Sequence, residues 1–147
     1  MASGPFRRRA DTGTVSHVTN SDLRPPVRVL VVDADDRTRE SICGVLGIGT
    51  RCVVVGSAGD PARALALVGE LQPDILIVDA NIDDPAAARA FVVRVRTLSP
   101  STRIVAMSRT DIAETQRRCA GVDAVIRKTF RPREFVDALL GSAGAAG

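Results

Sequence analysis

Short apolar runs alternate with amphipathic segments along most of this chain. Five runs predict buried strands, at residues 27–32, 52–55, 74–78, 103–107 and 122–126. A segment with apolar residues at helical spacing follows each run, and Asp60-Pro61 and Asp84-Pro85 are typical of helix starts. Five strands that alternate with five helices require a parallel sheet covered on both faces. We therefore predict an α/β fold, a doubly wound five-stranded parallel sheet of flavodoxin-like (βα)5 order.

Composition divides the chain into three parts. Residues 1–26 mix Ser, Thr, Gly, Pro, Arg and Asp without periodicity, which predicts a disordered leader. Residues 142–147 are Ser, Gly and Ala, which predicts a flexible C-terminal tail. The region between them, 27–141, is long enough for one domain. We expect no second domain in this chain, and therefore no DNA-binding domain.

Several classes of protein are excluded by composition. No apolar stretch is long enough to cross a membrane, and no apolar core of a signal peptide follows the N-terminal arginines, so we expect a cytoplasmic protein without membrane contact. The three cysteines are odd in number and far apart, which favours buried thiols over disulfides or a zinc site. The single histidine, His17, lies in the leader, which argues against a histidine-based metal or catalytic site.

Polar side chains stand at the ends of four predicted strands. Asp33 and Asp79 follow two of the apolar runs and Ser108 follows a third, while Lys128, the only lysine of the chain, comes after the last. Ligands of open parallel sheets bind at the carboxyl edge, where these side chains would meet. Carboxylates hold hard cations, and ammonium and hydroxyl groups bind phosphoryl oxygens. The combination predicts a site for a phosphoryl group beside a divalent metal.

These four residues and their spacing resemble the receiver domains of bacterial two-component response regulators, over residues 27 to about 141. The resemblance implies that Asp79 accepts a phosphoryl group and that Ser108 and Lys128 contact it. It also implies a Mg2+ ion held by Asp33, Asp79 and the backbone carbonyl of Asn81.

The same resemblance implies a signalling protein rather than an enzyme. A histidine kinase or a phosphotransfer protein would donate the phosphoryl group. The signal would leave through residues 109–141, the last two helices and the strand between them, to a downstream protein or to a second copy in a homodimer.

The sequence also departs from the family pattern. Ala34 replaces the second acid of the metal-binding pair, so Mg2+ binding is weakened or lost unless Asp35 or Asp36 compensates. Arg109 stands where the family has a small residue, and Val125 replaces its aromatic switch residue. Two hypotheses stay open: a slow receiver, or a degenerate one that acts as a protein-interaction module without phosphorylation.

An enzyme of another class is a further alternative. Asp33-Ala34-Asp35 after an apolar strand also matches the opening of haloacid-dehalogenase-type phosphatases. Asp33 would then be the nucleophile and Asp35 the acid/base. Against this alternative, the chain lacks a later acidic cluster after a strand, and Asp79 would have no role.

Overall fold

Five strands alternate with five helices in the computed structural model, which describes residues 24–80, 84–128 and 131–146. The strands are β1 (Val27–Val32), β2 (Cys52–Ala58), β3 (Ile75–Asp79), β4 (Arg103–Ser108) and β5 (Ala124–Arg127). The helices are α1 (Asp36–Leu46), α2 (Pro61–Leu71), α3 (Pro85–Leu98), α4 (Ile112–Arg118) and α5 (Pro132–Ala146). All neighbouring strands pair in parallel, in the order β2-β1-β3-β4-β5. The predicted doubly wound, flavodoxin-like fold is confirmed.

Both faces of the sheet are covered, which explains why its strands are almost entirely apolar. On one face, α1 and α5 bury Ile42, Phe135 and Leu139 against the alternate residues of the strands. On the other face, α2 and α3 bury Val68 and Phe91 in a second cluster. With both faces covered by helices, polar side chains collect at the carboxyl end of the sheet.

Aspartate residues cap the starts of four helices. The side chains of Asp35, Asp60, Asp84 and Asp111 each accept a hydrogen bond from a backbone N–H of the helix that follows. Such a cap satisfies a donor that has no partner within the helix and favours negative charge at the positive end of the helix dipole. Each cap therefore fixes the point at which the chain leaves the carboxyl edge of the sheet and enters a helix.

The largest differences from the predicted element boundaries are at the ends of β2 and α5. Strand β2 extends to Ala58, beyond the predicted end at residue 55, because it pairs with β1 as far as Val32 despite the low strand propensity of Gly56. Helix α5 reaches Ala146, whereas the sequence predicted that the folded domain ends at residue 141. The alanines of this segment are strong helix formers and extend the helix past its glycines. Of the predicted leader, residues 1–23 lie outside the described residues.

The three cysteines are free thiols. Cys52 and Cys119 are buried and Cys43 is half-buried, and burial raises the pKa of each thiol above its ordinary value. They act as small apolar side chains, as predicted. In the described ranges, no helix has both the length and the apolar character that a membrane span requires.

Candidate functional site

The carboxyl ends of four strands meet at one cavity. Asp33 follows β1, Asp79 ends β3, Ser108 ends β4 and Lys128 follows β5. All four line a cavity of about 350 Å³. The structure therefore brings together the four residues that the sequence singled out, although they are spread over most of the domain. Asn81, the remaining predicted site residue, lies outside the described residues.

Lys128 joins the two carboxylates of this cavity. Its Nζ atom lies 2.8 Å from Oδ2 of Asp33 and 3.4 Å from Oδ1 of Asp79. The Lys128 side chain is only 4% exposed and that of Asp33 only 1%. The backbone N–H of Lys128 donates to the carbonyl of Ser108 at 2.7 Å, which fixes the lysine at the edge of β4. A buried ammonium held in this way needs its carboxylate partners, since an unpaired buried charge is costly.

Asp33 is held on every side. Its Oδ1 atom accepts a hydrogen bond of 2.9 Å from the N–H of Asp35, while Oδ2 faces Lys128. Its backbone N–H donates to the carbonyl of Ala58, and its own carbonyl accepts from Nη1 of Arg39 at 2.7 Å. Both carboxylate oxygens therefore already have partners within the chain.

Asp79 is the more accessible of the two carboxylates. Its side chain is 24% exposed, compared with 1% for Asp33. The residue after it is anchored, because the N–H of Ala80 donates to the carbonyl of Met107 at 2.9 Å. A small molecule that enters the cavity from solvent would reach the Asp79 carboxylate before that of Asp33.

Ser108 is part of a hydroxyl network that reaches α4. Its Oγ atom lies 2.7 Å from Oγ1 of Thr115 and accepts from the N–H of Thr110 at 3.1 Å. Thr115 can donate its own proton to the carbonyl of Asp111 at 3.0 Å. The Ser108 hydroxyl also lies within donating distance of the Thr110 carbonyl, at 3.2 Å, so either hydroxyl can be the donor of the Ser108–Thr115 hydrogen bond. The network ties the end of β4 to the first turns of α4.

Sequence reasoning missed several residues of this cavity, among them Thr115 and Arg118 of α4. Ile112, Thr115 and Cys119 recur at i, i+3 and i+7, which is the spacing of the inward face of a helix. That spacing could have placed Thr115 beside the strand end. Arg118, three residues after Thr115, then falls near the same side of α4.

The described residues fit a magnesium ion poorly. Ala34 offers no ligand, and Asp35 lines the cavity while it caps α1 through a 2.9 Å hydrogen bond from the N–H of Thr38. This bond lowers the pKa of Asp35, as does, to a smaller extent, the charge of Arg109. Asp36 instead binds Nη2 of Arg39 at 2.6 Å.

Within the described ranges, no three acidic, cysteine or histidine residues are grouped as metal ligands. Each carboxylate oxygen of Asp33 already accepts a hydrogen bond, so a metal ion would compete there with the Lys128 ammonium and the Asp35 amide. The Mg2+ site that the resemblance implies stays a prediction.

The model of the response regulator receiver domain family matches residues 29–140. The chain belongs to this family. A receiver domain is a module of two-component signalling, and such domains generally bind Mg2+ in their acidic pocket and interact with histidine kinases and downstream proteins. This membership leaves the dehalogenase-type phosphatase without support.

The curated relatives are longer proteins than this receiver domain. Response regulator protein VraR of Staphylococcus aureus is 29% identical over 114 residues, which cover 77% of this chain and 54% of VraR. A protein-glutamate methylesterase/protein-glutamine glutaminase of Anaeromyxobacter dehalogenans is 31% identical, over 76% of this chain and 32% of that protein. The chain thus spans about half or less of the length of these relatives.

Solved receiver domains have the same fold. The signal receiver domain of the response regulator NarL from Mycobacterium tuberculosis is 29% identical and superposes with a TM-score of 0.65, covering 82% of this chain and 98% of that domain. A pilus assembly-related protein of Burkholderia pseudomallei is 24% identical with a TM-score of 0.67, covering 80% of this chain and 90% of that one. The second likeness shows the fold alone.

Proposed function

We propose that this receiver domain accepts a phosphoryl group on Asp79 and passes the signal to a partner protein through α4, β5 and α5. One observation carries the proposal: the partly exposed carboxylate of Asp79 opens into the cavity, 3.4 Å from the ammonium of Lys128. A cation at that distance partly neutralises the phosphoryl group that arrives.

The reaction would be a nucleophilic displacement at phosphorus. A carboxylate oxygen of Asp79 attacks the phosphorus of a phosphohistidine, the O–P bond of an acyl phosphate forms, and the P–N bond breaks. The electron pair of the broken bond goes to the imidazole of the donor, which takes up a proton. The donor would be a histidine kinase or a phosphotransfer protein.

The hydroxyl network supplies a route from the site to the surface. A phosphoryl oxygen near Ser108 would compete with Thr115 and with the Thr110 carbonyl for the single proton of the Ser108 hydroxyl. If Ser108 donates its proton to the phosphoryl group, its hydrogen bond with Thr115 is broken. Helix α4 is then free to shift relative to the end of β4. The expected output surface is residues 109–141, where a downstream protein or a second copy of the chain would bind.

A second candidate function is a protein-interaction module that works without phosphorylation. Ala34 and the complete pairing of the Asp33 carboxylate favour it, because both reduce the capacity of the site for a divalent metal. On this alternative the same surface would bind its partner constitutively.

The decisive experiment is incubation with acetyl phosphate and Mg2+, followed by measurement of the intact mass. We expect the wild-type chain to gain the mass of one phosphoryl group and the Asp79→Asn variant to gain none. A wild-type chain that gains no mass would overturn the proposal and favour the interaction module. Equal gain in both proteins would place the phosphoryl group on another residue.

A further inference from the structure

The charges that line the cavity are balanced without a metal ion. Three acidic residues line it, Asp33, Asp35 and Asp79. Three basic residues line it as well, Arg109, Arg118 and Lys128. A phosphoryl group would bring further negative charge to this cavity, and that charge needs a cationic partner.

The acidic residues leave little room for a divalent cation. Asp33 is buried. One of its carboxylate oxygens accepts a hydrogen bond from the ammonium of Lys128, and the other accepts one from the N–H of Asp35. Asp35 holds the first turn of α1 through Thr38. Ala34, between them, carries no oxygen on its side chain. At these three consecutive positions, each of the two carboxylates already accepts at least one hydrogen bond from the chain.

Two arginine residues of the cavity lining are exposed to solvent. Arg109 follows Ser108 directly in the chain, and Arg118 lies on α4, one turn after Thr115. A guanidinium group is always charged and presents paired N–H donors in a plane, which matches two oxygens of a phosphoryl group. Lys128 adds a third cation from the floor of the cavity.

We propose that Arg109, Arg118 and Lys128 form an oxyanion site that holds a phosphoryl group beside Asp79 without a divalent metal. The ligand is either the acyl phosphate on Asp79 or free inorganic phosphate, since both present the same oxygens. For the acyl phosphate, this inference rests on the proposed function. For free phosphate it does not, so the two ideas are tested separately.

The first test measures phosphate binding in EDTA at constant ionic strength, from the rise in the melting temperature. We expect inorganic phosphate to stabilise the Asp79→Asn variant more than the wild type, because the substitution removes a repelling charge. In the Asp79→Asn background, Arg109→Gln combined with Arg118→Gln should weaken phosphate binding by about tenfold or more, since hydrogen bonds to charged groups are strong. Arg94→Gln, at an exposed arginine of α3, is the matched control and should leave binding unchanged.

Three results of this test would overturn the inference. The first is the absence of any shift with Asp79→Asn, and the second is an equal shift after loss of both arginines. The third is a shift that occurs only when Mg2+ replaces EDTA.

The second test compares acetyl phosphate labelling in EDTA and in Mg2+. We expect labelling of Asp79 in both, with the EDTA rate reduced about tenfold or more by Arg109→Gln and Arg118→Gln. Labelling that requires Mg2+ would overturn the inference and leave the proposed function standing. Absence of labelling in both conditions would overturn the proposed function. The oxyanion site would then be tested by the phosphate-binding measurement alone.

Discussion

The Nζ atom of Lys128 lies 2.8 Å from Oδ2 of Asp33, a residue 95 positions earlier in the chain. The two residues belong to the ends of β5 and β1, which are separated in the sheet by β3 and β4. The bond therefore spans the carboxyl ends of β3 and β4, from β1 in the interior of the sheet to β5 at its edge. Since both side chains are almost completely buried, it is a contact of the core rather than of the surface.

Removal of one partner of this pair should destabilise the fold strongly. We expect Lys128→Met to lower the free energy of unfolding by about 3–5 kcal/mol, because it leaves the Asp33 carboxylate buried and unpaired. The double variant Asp33→Asn with Lys128→Met should recover part of that loss, since neither charge remains. Urea unfolding measures both effects.

The surface pair of Arg51 and Asp137 is the matched control for that experiment. Its side chains are 58% and 55% exposed, so Arg51→Ala should cost no more than about 1 kcal/mol. A Lys128→Met variant as stable as Arg51→Ala would show that the buried pair contributes little.

The hydroxyls of Ser108 and Thr115 should be energetically coupled. Thr115→Val removes a buried hydroxyl and its short hydrogen bond with Ser108, at a cost of about 1–2 kcal/mol. In a double-mutant cycle with Ser108→Ala, we expect a coupling energy of about 1 kcal/mol. Thr97→Val, at an exposed hydroxyl of α3, should change stability by less than about 0.5 kcal/mol. Strictly additive effects at 108 and 115 would contradict the network.

Two glycines should respond to alanine in opposite directions. Gly44 lies in α1 with open space where an added methyl group would stand, so Gly44→Ala should stabilise the protein by about 0.5–1 kcal/mol. Gly121 has φ of +99° and Cγ1 of Val92 would lie 3.3 Å from an added Cβ, so Gly121→Ala should destabilise by about 1–2 kcal/mol. Thermal or urea unfolding measures the stability of both variants. A stabilising effect of Gly121→Ala would contradict the strain expected at the positive φ of Gly121.

The cysteine thiols should resist alkylation in the folded protein. Burial raises the pKa of Cys52 and Cys119, so the reactive thiolate forms only above the ordinary value of 9.0. With iodoacetamide at pH 8, mass spectrometry should find Cys43 modified first and all three modified quickly in urea. Because folding raises the pKa of these thiols, burial of the neutral thiols stabilises the fold fully below pH 9. That stabilisation is lost as the pH rises above it. Rapid labelling of Cys52 in the native protein would contradict its burial.

Most of the fold could be predicted because its signals are local. Apolar runs, the Asp-Pro helix starts and the 3.6-residue spacing in α3 lie within single segments, and the rule that parallel strands need crossovers supplies the sheet. The predicted ends were less accurate at β2 and α5. There the pairing of Ala58 with Val32, and the helix propensity of the alanines near the C-terminus, outweighed the glycines.

The site was predictable only in part, because strand ends can be located from sequence whereas side-chain partners cannot. Asp33, Asp79, Ser108 and Lys128 follow apolar runs and were placed at one edge for that reason. That Lys128 lies closer to Asp33 than to Asp79 depends on distances between strands that no local pattern encodes. Thr115 was overlooked because α4 is short and mostly polar.

The residues that line the cavity lie between positions 33 and 128 of the chain. The cavity can therefore form only after synthesis has reached Lys128. While the protein is being synthesised, β1, β3 and β4 leave the ribosome before β5, and Asp33 then has no ammonium to face. Until Lys128 has emerged and β5 has paired with β4, the nascent domain can neither neutralise that carboxylate nor complete its signalling centre.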